Sequence, residues 1–281
     1  LMDISLLLGP DIKHVPATLP SNLTNLSMMF SGAIGFNDSN VVGWDTSNVT
    51  NMNALFNGCY TFNQPIGDWD TSNVTNMTSM LGDNAAFNQS IDGWDVSKVT
   101  SARYLFSGCI SLNSPITNLT FSVATDLSGL FLGCEKLNQD LSSCSFPMGE
   151  NASGMFRGCT ALNLPICTFG NKLTDVNMMF QECTIFSQDV SGIDMSSVLN
   201  MSSMFADCPN FNQDISGWDT SSVVNMSALF QRATAFNQNI GTWNVSKVTS
   251  FSNTFNAATS FNGDITLWDT TSLTNTNSMF Q

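Results

Sequence analysis

Positive charge is scarce in this chain: 8 Lys and Arg stand against 22 Asp and Glu, for a formal charge of −14. Phosphate backbones and anionic lipid surfaces are held by clusters of Lys and Arg, and none is present. Nucleic acid and membrane surfaces are therefore not expected partners. Charge of either sign is low, at 11% of residues, where a typical soluble domain carries about 25%. No run approaches the roughly 20 apolar residues that span a bilayer. The opening Leu1–Leu8 is too short for a span and lacks a basic n-region, so it does not read as an intact signal peptide.

Catalytic material is also missing. His14 is the only histidine and lies among prolines. There is no G-x-S-x-G, no P-loop, no G-x-G-x-x-G and no C-x-x-C. Zinc is not expected from one His without a cysteine pair, and neither an enzyme nor a bound cofactor is expected. What remains is 42% apolar, enough to bury a core and to exclude disorder.

That apolar content is periodic. One aromatic or leucine recurs at Phe30, Phe56, Leu81, Phe106, Phe131, Phe156, Phe180, Phe205, Phe230, Phe255 and Phe280, at intervals of 24 to 26 residues. A second column runs Trp44, Trp69, Trp94, Leu119, Cys144, Phe169, Ile193, Trp218, Trp243 and Trp268. Ile and Val columns precede and follow it, with Ile66, Ile91, Ile215 and Ile240 in the first and Val49, Val74, Val99 and Val223 in the second. No single unit can bury these positions; stacked neighbours bury them as ladders. Residues 1–20 read as a lead-in or partial cap and 21–281 as one continuous repeat array, degenerate at 112–193.

Within a unit, V-T-N-M-x-x-M-F spaces apolar residues at 0, +3, +6 and +7, which predicts a helical turn or short helix. The Asp-Thr-Ser before it has the chemistry of a turn or cap. The half around Q-D-I-S-G-W predicts a short strand in a parallel ladder, about 4.8 Å per rung. The expected fold is thus an α/β repeat solenoid of about ten 25-residue rungs, each a short parallel strand, turn and short helix.

Copies such as F-N-Q-P-I-G-D-W-D-T-S-N-V-T-N-M-T-S-M (62–80) and F-N-Q-D-I-S-G-W-D-T-S-S-V-V-N-M (211–226) resemble the BspA-like leucine-rich repeat family, in its surface-protein branch with a repeat of about 25 residues. The resemblance implies a right-handed leucine-rich-type stack, a cell-surface or secreted location, and adhesion. It supplies no catalytic residues.

Several columns carry two readings. Cys59, Cys109, Cys134, Cys159, Cys183 and Cys208 sit three residues after the anchor, where other rungs have Ala or Asn. They form either a reduced buried ladder or one or more bridges. Cys144 and Cys167 lie off that column on adjacent rungs and are the best candidate disulfide. Asp45, Asp70, Asp95, Asp194, Asp219 and Asp269, with Asn244, either cap their turns or recruit calcium through oxygen ligands. Asn25, Asn51, Asn76, Asn151, Asn200, Asn225 and Asn275 read as an internal hydrogen-bond ladder. A Thr column (Thr50, Thr75, Thr100 and others) has the regularity of a water-ordering array, but Leu199 and Val224 interrupt it.

Sequons recur with the repeat, and those at exposed turns are candidates for N-glycosylation in a secreted eukaryotic protein: Asn48, Asn73, Asn118 and Asn244. Asn76 and Asn225, in the internal ladder, should stay bare. The polar side of the expected strand, with Gln64, Gln89, Gln213 and Gln238, is the candidate binding face. The expected role is a non-catalytic extracellular or cell-surface protein that binds a protein or glycan. The alternative is a filament or surface-layer subunit that assembles with like subunits through solenoid ends.

Overall fold

The computed structural model describes residues 11–116 and 119–281. The 25-residue period appears as hydrogen bonds between successive rungs. Thr50 N donates to the Thr24 carbonyl at 2.8 Å, Thr75 N to Thr50 at 2.9 Å and Thr100 N to Thr75 at 2.9 Å. Beside these contacts, single-residue parallel bridges run from Asn25 through Asn51, Asn76, Ser101, Asp126, Asn151, Asp175, Asn200, Asn225 and Ser250 to Asn275. The column is unbroken through residues 112–193.

The secondary structure within each rung overturns the α/β expectation. Among the described residues there is no α-helix. There is one five-residue 3-10 helix (Ser39–Gly43) and one parallel pair of two-residue strands, β1 (Ser145–Phe146) and β2 (Thr168–Phe169). Rungs of strand and helix do not form.

The reason lies in where the backbone groups point. An α-helix sends each N–H along its own segment to a carbonyl four residues back. In the segment expected to be helical, alternate N–H groups leave it instead. Leu26, Met28, Phe30 and Gly32 donate to the carbonyls of Asn51, Asn53, Leu55 and Asn57 on the next rung. The residues between them close turns, with Met29 N to Leu26, Ser31 N to Met28 and Ala33 N to Phe30. Overlapping turns of this kind need left-handed residues, and φ is 58° at Met28 and 79° at Gly32. The same position is left-handed at Ala54, Ser79, Tyr104, Met178, Ser203 and Ala228. Left-handed backbone costs about 1–2 kcal/mol at a non-glycine residue, offset by the axial hydrogen bonds and by the burial of flanking Leu and Phe. Burial spacing of i, i+3, i+4 and i+7 (Met226, Leu229, Phe230 and Ala233, all fully buried) is common to both conformations, so the pattern alone did not separate them.

The expected strand is likewise a turn. Trp69 N donates to the Ile66 carbonyl at 3.2 Å, and Trp94, Trp218, Trp243 and Trp268 repeat this contact with the residue three before. Strand-like pairing sits where helix was expected, and turns sit where the strand was expected.

Aromatic stacks fill the core. Phe56 lies 5.4 Å from Phe30 on the neighbouring rung and 3.9 Å from Phe62 on its own. Trp44 and Trp69 stack at 6.2 Å, as do Trp218 and Trp243 at 6.3 Å. The lead-in packs onto the first rung: Val15 N donates to Asp38 Oδ2, Asn40 Nδ2 to the Val15 carbonyl and Trp44 Nε1 to the Pro16 carbonyl. Residues 1–10 lie outside the described residues.

Candidate functional site

Each regular rung ties its tryptophan to the rung before. Trp69 Nε1 donates to the Val41 carbonyl, Trp94 to Ile66, Trp243 to Ile215 and Trp268 to Ile240, at 2.9–3.1 Å. Two residues further on, Thr46, Thr71 and Thr220 are buried, and each donates to a carbonyl on the next rung.

The central rungs rearrange both columns. Strand register pairs Ser145 with Thr168 and Phe146 with Phe169, which aligns Cys167 with Cys144. Cys167, and not Phe169, therefore continues the Trp column; the sequence alignment missed this because the rung is short. Leu119, Cys144 and Cys167 stand where indoles stood, and the aromatic moves two residues on. Phe121, Phe146 and Phe169 stack at 5.7 Å per step in the place of the buried threonines. Cys144 Sγ donates to the Ile116 carbonyl at 3.3 Å and so takes over the indole's hydrogen bond.

The next rung, with Ile193 and Met195, has an aromatic in neither column. A cleft of about 290 Å³ opens between it and the Cys167 rung, lined by Ile166, Cys167, Phe169, Gln188, Asp189 and Ile193 among others. On the opposite side the Cys167 rung lies close against the rung before it. A β-carbon on Gly170 would lie 2.1 Å from the Pro147 carbonyl oxygen. Beyond the cleft, Trp218 Nε1 is buried and has no protein partner. By the spacing of the other rungs its acceptor would be the Val190 carbonyl, on the cleft wall.

All eight cysteines are free and buried. The expected Cys144–Cys167 disulfide does not form. The neighbouring Cys167 thiol holds Cys144 below the usual thiol value, while burial pushes Cys167 up. In-register parallel side chains stand about 4.8 Å apart, wider than a disulfide's Cβ separation of about 3.8 Å. The six-cysteine column is a donor column. Cys59, Cys109, Cys134, Cys159, Cys183 and Cys208 each donate Sγ–H to an anchor-residue carbonyl one rung back, at 2.9–3.2 Å. Asn84 does the same with its amide at 2.9 Å. Burial raises these thiols, Cys59 to about 12.

The four candidate glutamines are half-buried and belong to a ladder. Gln64 and Gln238 donate Nε2 to the Asn37 and Asn212 carbonyls, Gln213 to Ser187 and Gln89 to Asn63 Oδ1. These bonds hold the glutamine side chains against the rung before. The asparagines beside them form a second ladder that was not anticipated, in which Asn63, Asn88, Asn113 and Asn138 each donate backbone N–H to the Oδ1 of the asparagine one rung back. Its signal was the asparagine that follows a Phe or Leu in each of these rungs, at Asn63, Asn88, Asn113 and Asn138.

Among the sequons, Asn48 and Asn73 use Nδ2 to reach the Ser21 and Ser47 carbonyls, so the atom a glycan needs is engaged. Asn244 Oδ1 accepts from the backbone and hydroxyl of Ser246. Asn118 lies outside the described residues.

The Asp column closes turns. Asp45, Asp70, Asp95, Asp194, Asp219 and Asp269 each accept the backbone N–H two residues on. Hydrogen bonds from that Ser or Thr hold each carboxyl below its usual value. Asp140, Asp189, Asp214 and Asp264 form a matching exposed column on the other side of the Trp position. Among the described residues no three His, Cys, Asp or Glu side chains converge on one point.

These features describe a stacked-repeat protein whose tryptophan column is interrupted once. The chain belongs to the family described as Mycoplasma protein of unknown function, DUF285, with overlapping matches over residues 24–144, 94–192 and 174–281. No curated protein and no solved structure matches it. Among the described residues no helix is long and apolar enough to cross a membrane.

Proposed function

We propose that this chain is a non-catalytic binding protein of the cell exterior, engaging a protein or glycan through the exposed turns that flank the Trp column. The observation that supports this reading is the pair of exposed aspartate columns, Asp45–Asp70–Asp95 on one side and Asp189–Asp214 on the other, repeated from rung to rung. Side chains fixed by Asx turns on a stacked backbone present one acceptor pattern many times over, which favours an extended, multivalent contact. The resemblance to BspA-like surface proteins points to the same role, although not to the same rung. The acidic balance favours a ligand surface bearing donors or positive charge.

The test is solid-phase binding of the purified chain to extracellular matrix proteins and a glycan array, at 50 mM and 500 mM salt. Saturable binding at micromolar concentration that weakens with salt is expected. No ligand at that level, or binding indifferent to Asp45→Asn/Asp70→Asn/Asp95→Asn, overturns the proposal.

A further inference from the structure

We propose that the cleft between the Cys167 and Ile193 rungs is a binding site for a small planar aromatic molecule of indole size bearing one N–H donor. The chain itself shows what this position accepts, since six other rungs fill it with their own indole, at Trp44, Trp69, Trp94, Trp218, Trp243 and Trp268. Where neither column supplies a ring, at Ile193 and Met195, the space is left as a cleft of about 290 Å³. An enclosed apolar cavity of about 150 Å³ takes up benzene, so a bicyclic ring fits here.

Two features orient such a ligand. Phe169 ends the stack that begins at Phe121. Among the described residues its ring has one aromatic partner, Phe146 at 5.7 Å, and it is half-buried on the cleft wall. A bound ring continues that stack, in the offset arrangement that contributes about 0.5–1.5 kcal/mol beyond area burial. The second feature is the acceptor. Each regular Trp donates Nε1 to the carbonyl of the Ile-column residue one rung back. For a ring in the slot of the Ile193 rung that residue is Ile166, which lines the cleft. Gln188 and Asp189 form the polar rim. The site shares Asp189 with one aspartate column, but it does not rest on the adhesion reading, whose test alters Asp45, Asp70 and Asp95 only.

The experiment is saturation-transfer NMR with indole as the probe, on the full chain, with isothermal titration for stoichiometry. One saturable site is expected in the natural sequence. Ile193→Trp places the protein's own indole in the slot, and Met195→Phe extends the phenylalanine stack into it. Each should weaken indole binding at least tenfold while raising Tm. Absence of saturable binding to the natural sequence, or undiminished binding to both variants when their Tm shows them folded, overturns the site.

Discussion

The flanking rungs and the central rungs solve one packing problem differently. In the flanks, around Trp44–Trp94 and Trp218–Trp268, an indole fills the gap between rungs, and at every one except Trp218 its N–H ties one rung to the last. In the centre, Cys144 and Cys167 keep the column but give up its volume, and phenylalanine two residues on takes over the stacking. The substitution holds through Phe169 and fails at Ile193, where the cleft opens. A repeat tolerates drift in a column while some neighbouring column compensates; a cavity appears where both lapse on the same rung.

Four measurements press on that contrast. The largest effect should come from Trp69→Ala, which empties a slot stacked on Trp44 and Phe56 and removes the bond to the Val41 carbonyl. Truncating a buried aromatic costs about 3–5 kcal/mol. Ile193→Ala, beside an existing cleft, should fall near the lower limit for aliphatic truncation, about 2 kcal/mol. Equal losses in denaturant unfolding would break the distinction between filled and vacant slots.

Next comes glycine. Gly170→Ala forces a β-carbon onto the Pro147 carbonyl between β1 and β2, and overpacking of this kind costs about 1–3 kcal/mol. A β-carbon at Gly217, in a regular rung, meets nothing within 4 Å, so Gly217→Ala should stay within about 0.5 kcal/mol of the natural sequence. Gly67, Gly93 and Gly241 in the flanking rungs meet a neighbouring rung's carbonyl at 2.3–2.5 Å as well, so a neutral Gly170→Ala would show only that the Pro147 carbonyl can shift.

Thiol chemistry separates the two sets of cysteines. Cys167 lines the cleft, and Cys144 is held below the usual thiol value by it. The donor column is raised by burial. Iodoacetamide under native conditions should therefore label Cys144 or Cys167 first, roughly tenfold or more ahead of Cys134. Mass spectrometry showing the opposite order would remove the distinction.

The smallest effect per residue is acid sensitivity. The turn-closing aspartates have folded pKa values below their unfolded value of about 3.9. Their contribution is thus complete above that value and is lost as pH falls through the lower folded values. Thr120, Ser145 and Thr168 replace aspartate in the central rungs. Below about pH 4, hydrogen exchange should loosen the flanks around Asp45–Asp95 and Asp219–Asp269 before the Thr120–Thr168 segment. Uniform loosening would contradict this.

Much of this was legible in the chain itself. The column at Phe30–Phe280 located the core, and the alternation of Cys with Ala and Asn marked a small buried site. The Asx chemistry of Asp45 and its equivalents was visible in Asp-Thr-Ser. The secondary structure was not, because V-T-N-M-x-x-M-F buries the same residues whether it winds as a helix or runs as overlapping left-handed turns. The role of Gln64 and Gln213 was also hidden, since an amide's partner one rung away has no local signature. Cys167 was misplaced by one column, because a gap in a short rung can be set at several positions and only the pairing of Thr168 with Ser145 fixes it.

The sequence by itself determined the period, the contents of each column and the chemistry that the chain lacks, because these are properties of composition and spacing. The tertiary structure decided the direction of the backbone hydrogen bonds, along the stack and not along the segment. It also decided that two adjacent vacancies add up to a cleft. Both depend on which atoms of neighbouring rungs face one another, and that relation exists only once the rungs are stacked.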